Sequence, residues 1–221
     1  MDRLDASAAS SLTLYDFPLS GNCHKIRLML SLLGLPYKTV SVDMAQREHK
    51  LPAFLALNPR GQVPVLQDGE VVVWDSMAIL AYLASKYAPE YLPADPVGLA
   101  RTFQWLAVSE NELLYGLARA RAYFRFRRFD IPLEEVQALG IAGLRVLESG
   151  LAKSVWLAAD RPTIADIACY PYVKLAGEGG ISISSYPAIK AWLARLESLP
   201  SFAIMPAGEL IGNMPMVIAK G

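Results

Sequence analysis

The sequence predicts two domains of different class in series, an α/β domain of order βαβαββα and then an all-α helical bundle. Three observations carry this reading. Short apolar runs alternate with helical patterns between residues 12 and 87, a proline-rich break fills Ala88 to Pro96, and helical periodicity alone follows it. In order, Leu12 to Asp16 is an apolar-rich strand, and the turn residues Pro18, Ser20, Gly21 and Asn22 lead into a helix marked by Ile26, Met29, Leu30 and Leu33. Gly34 stops that helix and Pro36 follows. Tyr37 to Val42 alternates at strand period, and Glu48 to Leu57 reads as a helix ending at Asn58-Pro59. Val63 to Leu66 and Val71 to Trp74 flank Asp68-Gly69, a hairpin dipeptide, and Ser76 to Tyr87 is the closing helix. Right-handed crossovers then give a mixed four-stranded sheet with an antiparallel edge.

Beyond the 88–96 linker, helical segments are expected near 97–128, 132–149, 164–176 and 186–199, giving a second domain over 97–205. Phe103, Leu106, Leu113, Leu117, Ala120 and Phe124 define one buried face of the first. Gly177, Gly179 and Gly180 read as a flexible connection, residues 1–11 as a flexible tail, and 206–221 as a C-terminal tail with no assigned element. Lys and Arg number 21 against 21 Asp and Glu, so no net charge draws the chain to nucleic acid or anionic membrane. The arginines at 119, 121, 125, 127 and 128 suit a helix C-terminus. No apolar stretch approaches the roughly 20 residues of a membrane span. Two distant cysteines, Cys23 and Cys169, give neither a disulfide framework nor metal-ligand spacing, which fits a reducing cytoplasm.

Three local motifs bear chemistry. The turn Pro18-Leu19-Ser20-Gly21-Asn22-Cys23-His24-Lys25 sits where a helix N-terminus offers unpaired N–H donors and positive potential. Ser20 or Asn22 caps this helix, Cys23 is a small buried residue, and His24 and Lys25 lie on the helix surface. In Asn58-Pro59-Arg60-Gly61-Gln62-Val63-Pro64-Val65-Leu66 a proline stands at the start of a strand, where a ladder bond is lost. In Trp74-Asp75-Ser76-Met77-Ala78-Ile79, Ser76 caps the last helix, and its free N–H groups suit an anion while Asp75 suits an ammonium. Further on, Thr163 and Asp166 in Pro162-Thr163-Ile164-Ala165-Asp166-Ile167-Ala168 form a variant capping box that serves folding.

Together these motifs resemble the soluble (cytosolic) glutathione transferase family, of the serine-type, theta-like or a related bacterial class, from Leu12 to about Ile204. The resemblance implies an N-terminal thioredoxin-like domain that binds glutathione as co-substrate, with no metal. It implies that the hydroxyl of Ser20, or alternatively the amide of Asn22, donates to the glutathione sulfur. The Val63–Pro64 bond would be cis, with Val63 pairing to the cysteinyl part of the peptide, Gln62 reaching its carboxylate end, and Asp75 and Ser76 holding the γ-glutamyl end. His49 corresponds to a histidine touching the glycine carboxylate in serine-type relatives, its other reading being a solvated helix position. Tyr115, Arg119 and Tyr123 lie on the helix that in this family faces the active-site cleft, and become acceptor candidates. The implied reaction conjugates the glutathione thiolate to a small electrophile, in a homodimer. The rivals are a glutathione-dependent isomerase, dehalogenase or peroxidase, and a non-catalytic binding or regulatory protein of the same fold.

Overall fold

A computed structural model describes residues 12–127 and 130–205, and the backbone of 217–218. The expected tails, apart from those two residues, and Arg128 lie outside the described residues. The chain divides into two compact units, one holding residues up to Ala88 together with 200–205, the other beginning at Pro89.

In the first unit, β1 (Leu12–Asp16) is one of the two inner strands of the sheet. It pairs in parallel with β2 (Lys38–Ser41) and antiparallel with β3 (Val65–Asp68), and β3 pairs antiparallel with β4 (Val71–Trp74), giving the order β2-β1-β3-β4. Period-two alternation sends Leu12 and Leu14 to one face and Thr13 and Tyr15 to the other. Tyr15 stacks edge-on against Phe54, with centroids 6.1 Å apart, beside a small core of Val42, Phe54 and Val65 on which Val63 also packs. Helices α1 (Gly21–Leu32) and α3 (Ser76–Tyr87) pack together and contribute the fully buried Ile26, Met29, Leu30, Ile79, Leu80 and Leu83. Each such side chain contributes about 1.5–3 kcal/mol on leaving water. Gly34, at φ +63°, ends α1 as expected.

Several local expectations are corrected. The helix read across Glu48 to Leu57 is two pieces, a 3₁₀ turn (Glu48–Lys50) and α2 (Pro52–Leu57), because Pro52 holds Leu51 extended at ψ 151°. The hairpin turn is Gly69-Glu70, since Asp68 still pairs with Val71. Asp68 stays in the strand because its Oδ2 accepts from Tyr82, Lys86 and Tyr87 of α3 at 2.8, 2.6 and 2.6 Å. His24 and Lys25 are completely buried rather than on the helix surface. A segment from far along the chain adds to the cover of this face: residues 201–204 return beside α1, Ser31 Oγ donates to the Ser201 carbonyl at 2.7 Å, and Ser201, Ala203 and Ile204 line with His24 an open pocket of about 550 Å³.

The second unit begins with α4 (Pro96–Val108), which runs through a π-helical stretch (Ser109–Ala118) into α5 (Arg119–Arg125). Its buried stripe is Thr102, Leu106, Ser109, Leu113, Leu117 and Ala120, while Phe103 is 59% exposed, against expectation. Two small hydroxyl residues fill inward positions there, and each bonds a carbonyl: Thr102 that of Gly98, Ser109 that of Ala168, both at 2.9 Å. The π stretch crosses α6 (Leu133–Leu151) so closely that a Cβ on Gly116 would stand 2.3 Å from the Gly140 nitrogen. Asp166 completes the capping box of α7 (Ile164–Lys174) with Thr163. It also accepts from Trp192 of α8 (Pro187–Glu197) at 2.9 Å and from the Leu157 N–H at 3.1 Å, fastening three segments. The glycine-rich stretch is a packed 3₁₀ turn (Ala176–Gly179), not a loose connection: Gln137 donates to the Gly179 carbonyl at 2.9 Å and Arg121 pairs with Glu178 at 2.7 Å. The pair β5 (Ile181–Ser182) and β6 (Val217–Ile218) is a parallel bridge that periodicity did not anticipate.

Candidate functional site

One end of the sheet of the first unit brings the three motifs together. Tyr15 of β1, Val65 of β3 and Trp74 of β4 stand in register, so the loop leaving β1, the loop arriving at β3 and the loop leaving β4 meet there. These loops carry Ser20, the Val63–Pro64 bond and Asp75-Ser76 respectively.

Ser20 is the N-cap of α1, with φ −78° and ψ 124°, and its Oγ accepts from the Cys23 N–H at 3.2 Å. A hydroxyl that accepts in this way still carries a proton to donate, and the neighbouring Cys23 sulfur is one acceptor it has. Asn22, one residue into the helix, has its Oδ1 buried with no hydrogen-bond partner. The Cys23 thiol is fully buried and accepts from the Phe17 N–H at 3.5 Å. Burial, and next the Asp16 carboxylate, push it up to about 12 against the opposing bonds from Ser20 and Phe17 and the Arg27 charge, so it stays a neutral thiol. Arg27 braces the turn by pairing with Asp16 and donating to the Pro18 carbonyl at 2.9 Å.

The second loop is fixed from within. Asn58, almost wholly buried, accepts from the Arg60 N–H at 3.0 Å and donates to the Gln62 carbonyl at 2.7 Å. Gly61 has φ +57°, and a Cβ there would stand 2.6 Å from the His49 carbonyl, which places the turn carrying His49 against this loop. Lys50 donates to the Gly61 carbonyl at 2.9 Å. The Val63–Pro64 bond is cis, Gln62 is exposed, Val63 half-buried and Pro64 buried.

At the third loop the cap assignment changes. Asp75, not Ser76, is the N-cap of α3: its Oδ1 accepts from the Met77 N–H at 2.9 Å, and Ser76 is the first, buried helical residue. The reason is the backbone of Asp75, which at φ +77° and ψ 127° leaves the chain non-helical until the next residue. Such a conformation in a non-glycine residue costs about 1–3 kcal/mol and concentrates at functional sites. Its second oxygen, Oδ2, pairs with Arg60 Nη1 at 2.8 Å. Sequence reasoning missed Arg60, because a cation in one loop and an acid fifteen residues on in another meet only when the β3–β4 hairpin folds back.

The acceptor candidates belong to the helical unit. The guanidinium of Arg119 lies 4.7 Å from the ring centre of Tyr115, which is 44% exposed. Arg119 and Tyr123 line one small pocket of about 90 Å³ with Asp130, Ile131 and Val136, while Tyr115 reaches that group only through Arg119. Among the described residues, no group of three or more His, Cys, Asp or Glu is placed to hold a metal ion, and no helix is long and apolar enough to cross a membrane.

Most of the chain is similar to known proteins. The family models described as glutathione S-transferase, N-terminal domain, and glutathione S-transferase, C-terminal domain, match residues 10–85 and 135–200. Glutathione S-transferase 3 of Zea mays is 35% identical over 203 residues, covering 86% of this chain and 91% of that protein. The chain belongs to the glutathione S-transferase family. Within this transferase family, the maleylacetoacetate isomerase of Pseudomonas aeruginosa is 31% identical, with 86% of this chain and 93% of that protein covered. A crystal structure of a glutathione S-transferase from Pseudomonas fluorescens superimposes with a TM-score of 0.83 at 35% identity, covering 88% and 98% of the two chains. That of a glutathione transferase homologue from Drosophila mojavensis, with bound glutathione, gives 0.78 at 27% identity, covering 86% and 89%.

Proposed function

We propose that this transferase-family chain binds glutathione at the sheet end of its first unit and conjugates the thiolate to a small electrophilic carbon. The observation that carries the reading is the register Tyr15, Val65, Trp74, which gathers a hydroxyl-capped helix start, a cis-proline strand start and a capped acidic helix start at one place. Catalysis there is chiefly thiolate formation. A thiol with pKa near 8.5 is only a few per cent ionised at neutral pH, and lowering it by about two units needs roughly 2.7 kcal/mol. A hydroxyl bonding the charged sulfur supplies about 1.5–3 kcal/mol and a helix N-terminus about 0.3–1 kcal/mol, so Ser20 and the start of α1 suffice.

In this reading the Val63 backbone pairs with the cysteinyl part of the peptide like an added strand. Gln62 and His49 serve its glycine end, and Asp75 and Ser76 its γ-glutamyl end. Tyr115, Arg119 and Tyr123 contact the acceptor. The working form is a cytoplasmic homodimer, supported by the exposed Val72 and Trp74, which share one face of edge strand β4 and which a second copy would cover. A single-chain mass in light scattering over a wide dilution range would count against the dimer.

The function itself is tested by retention on immobilised glutathione, followed by turnover with a panel of electrophiles. Retention with stoichiometric consumption of glutathione is expected. Folded protein that is not retained refutes the binding site, and turnover that leaves glutathione unconsumed makes the chain an isomerase, as one relative is named.

A further inference from the structure

The carboxylate of Asp75 is not idle before a ligand arrives. Oδ1 is fixed by the Met77 N–H at 2.9 Å and Oδ2 is paired with Arg60 at 2.8 Å. The pair is open to water, with the Arg60 side chain 50% exposed and that of Asp75 27% exposed. An ion pair so placed is weak and screened, so exchanging its partners costs little. The two ends differ in freedom. Asp75 is held by its cap bond and its backbone, whereas the Arg60 guanidinium hangs on a long side chain from a backbone that Asn58 fixes.

We infer that Arg60 is a further specificity residue of this site, one that receives the α-carboxylate of the γ-glutamyl group. The inference rests on the glutathione reading above. A γ-glutamyl group carries an ammonium and a carboxylate on one carbon, the same two charges as the Arg60–Asp75 pair in the opposite order. On binding, the ammonium takes the place of the guanidinium at Asp75 Oδ2, and the released guanidinium takes the α-carboxylate. Two ion pairs then stand where one stood, and no proton moves. The planar fork of an arginine fits a carboxylate through two parallel N–H bonds, which a lysine cannot reproduce. The site thereby selects the zwitterion as a unit: a peptide with only the ammonium leaves Arg60 without a partner, and one with only the carboxylate does the same to Asp75.

The test compares two peptides on three proteins by calorimetry: glutathione and γ-aminobutyryl-cysteinylglycine, which lacks the α-carboxylate alone, with unsubstituted protein, Arg60→Ala and Arg60→Lys. Arg60→Ala is expected to weaken glutathione by about ten- to a hundredfold, as loss of a charged hydrogen-bond pair does, and to leave the decarboxylated peptide within about twofold. Arg60→Lys is expected to recover part of the loss for glutathione only. Equal weakening of both peptides makes Arg60 a brace of its loop, and unchanged or tighter glutathione binding makes it only a counter-ion of Asp75. Either result overturns the inference while leaving the proposed function standing. Unsubstituted protein that binds neither peptide overturns both.

Discussion

Replacing Ser20 by alanine separates two jobs of one oxygen. As N-cap its Oγ accepts the Cys23 N–H at 3.2 Å, and alanine at such a position costs about 1 kcal/mol of stability, or roughly 2–4 °C in melting temperature for a chain of this size. As donor to a bound sulfur it favours thiolate over thiol. Losing a charge-assisted bond of about 1.5–3 kcal/mol raises the bound thiol by roughly one to two pH units. Glutathione affinity should change little, since the other proposed contacts lie at His49 and in the loops at residues 60–64 and 75–76. The ultraviolet absorbance of the thiolate, titrated with saturating glutathione, should move to higher pH, and the pH profile of the second-order rate constant should move with it. Ser20→Thr keeps both a cap and a hydroxyl and should restore most of the shift. If Ser20→Ala melts earlier but titrates as before, Ser20 is a cap only. If Asn22→Ala shifts the titration instead, the donor is the amide whose oxygen is buried beside it.

Two further predictions concern the scaffold. Burial and then the Arg27 charge push His24 down to about 3, so it is neutral in the folded protein, whereas it titrates near 6.5 once unfolded. Stability from this group is complete above pH 6.5 and is lost as pH falls towards 3, at about 2 kcal/mol between 6.5 and 5, and His24→Gln should flatten that part of a denaturant-stability profile. Gly116→Ala sets a Cβ 2.3 and 2.4 Å from backbone atoms of Gly140, which cannot swing aside, and should cost about 3 kcal/mol or more; Gly177, with nothing within 4 Å of an added Cβ, should accept alanine without loss of melting temperature.

What local pattern encodes, the sequence displayed well. The strand Leu12–Asp16, the helix Ser76–Tyr87 and the stop at Gly34 follow from alternation, periodicity and left-handed backbone, all properties of neighbouring residues. Contacts with partners from afar leave no local pattern. His24 looks like a surface residue in the sequence because nothing near it shows that residues 201–204 return beside α1. Hydropathy places Phe103 rather than Thr102 on the inward face of α4 because hydroxyl residues that bond carbonyls count as polar in any such pattern. The glycines near 177–180 look like a hinge on composition, yet Glu178 between them pairs with a nearly buried arginine of α5. For the candidate site, the motifs marked which loops to watch. The partner of Asp75 and the choice of Asp75 over Ser76 as cap needed coordinates, since both depend on how two loops approach.

The electrostatics of the sheet end explain why a chain with no net charge is suited to an anionic peptide. Helix α1 starts just beyond β1 and α3 directly after β4, so both helix N-termini open at the strand ends that Tyr15, Val65 and Trp74 define. Each start carries about half a positive charge, felt within the first turn. To these the adjoining loops add Arg60, and Lys50 held against the Gly61 carbonyl, while Asp75 is the acid that the proposed site offers to an ammonium. Thiolate-form glutathione carries two carboxylates and a sulfur anion against one ammonium, so its excess is negative and its single cation needs a single acid. The neutrality of the chain, 21 basic against 21 acidic residues, adds no net long-range field to this local one. A field built from helix ends and short-range pairs, rather than from excess charge, also predicts its own reach: it acts on a peptide already in the loops and steers little from a distance.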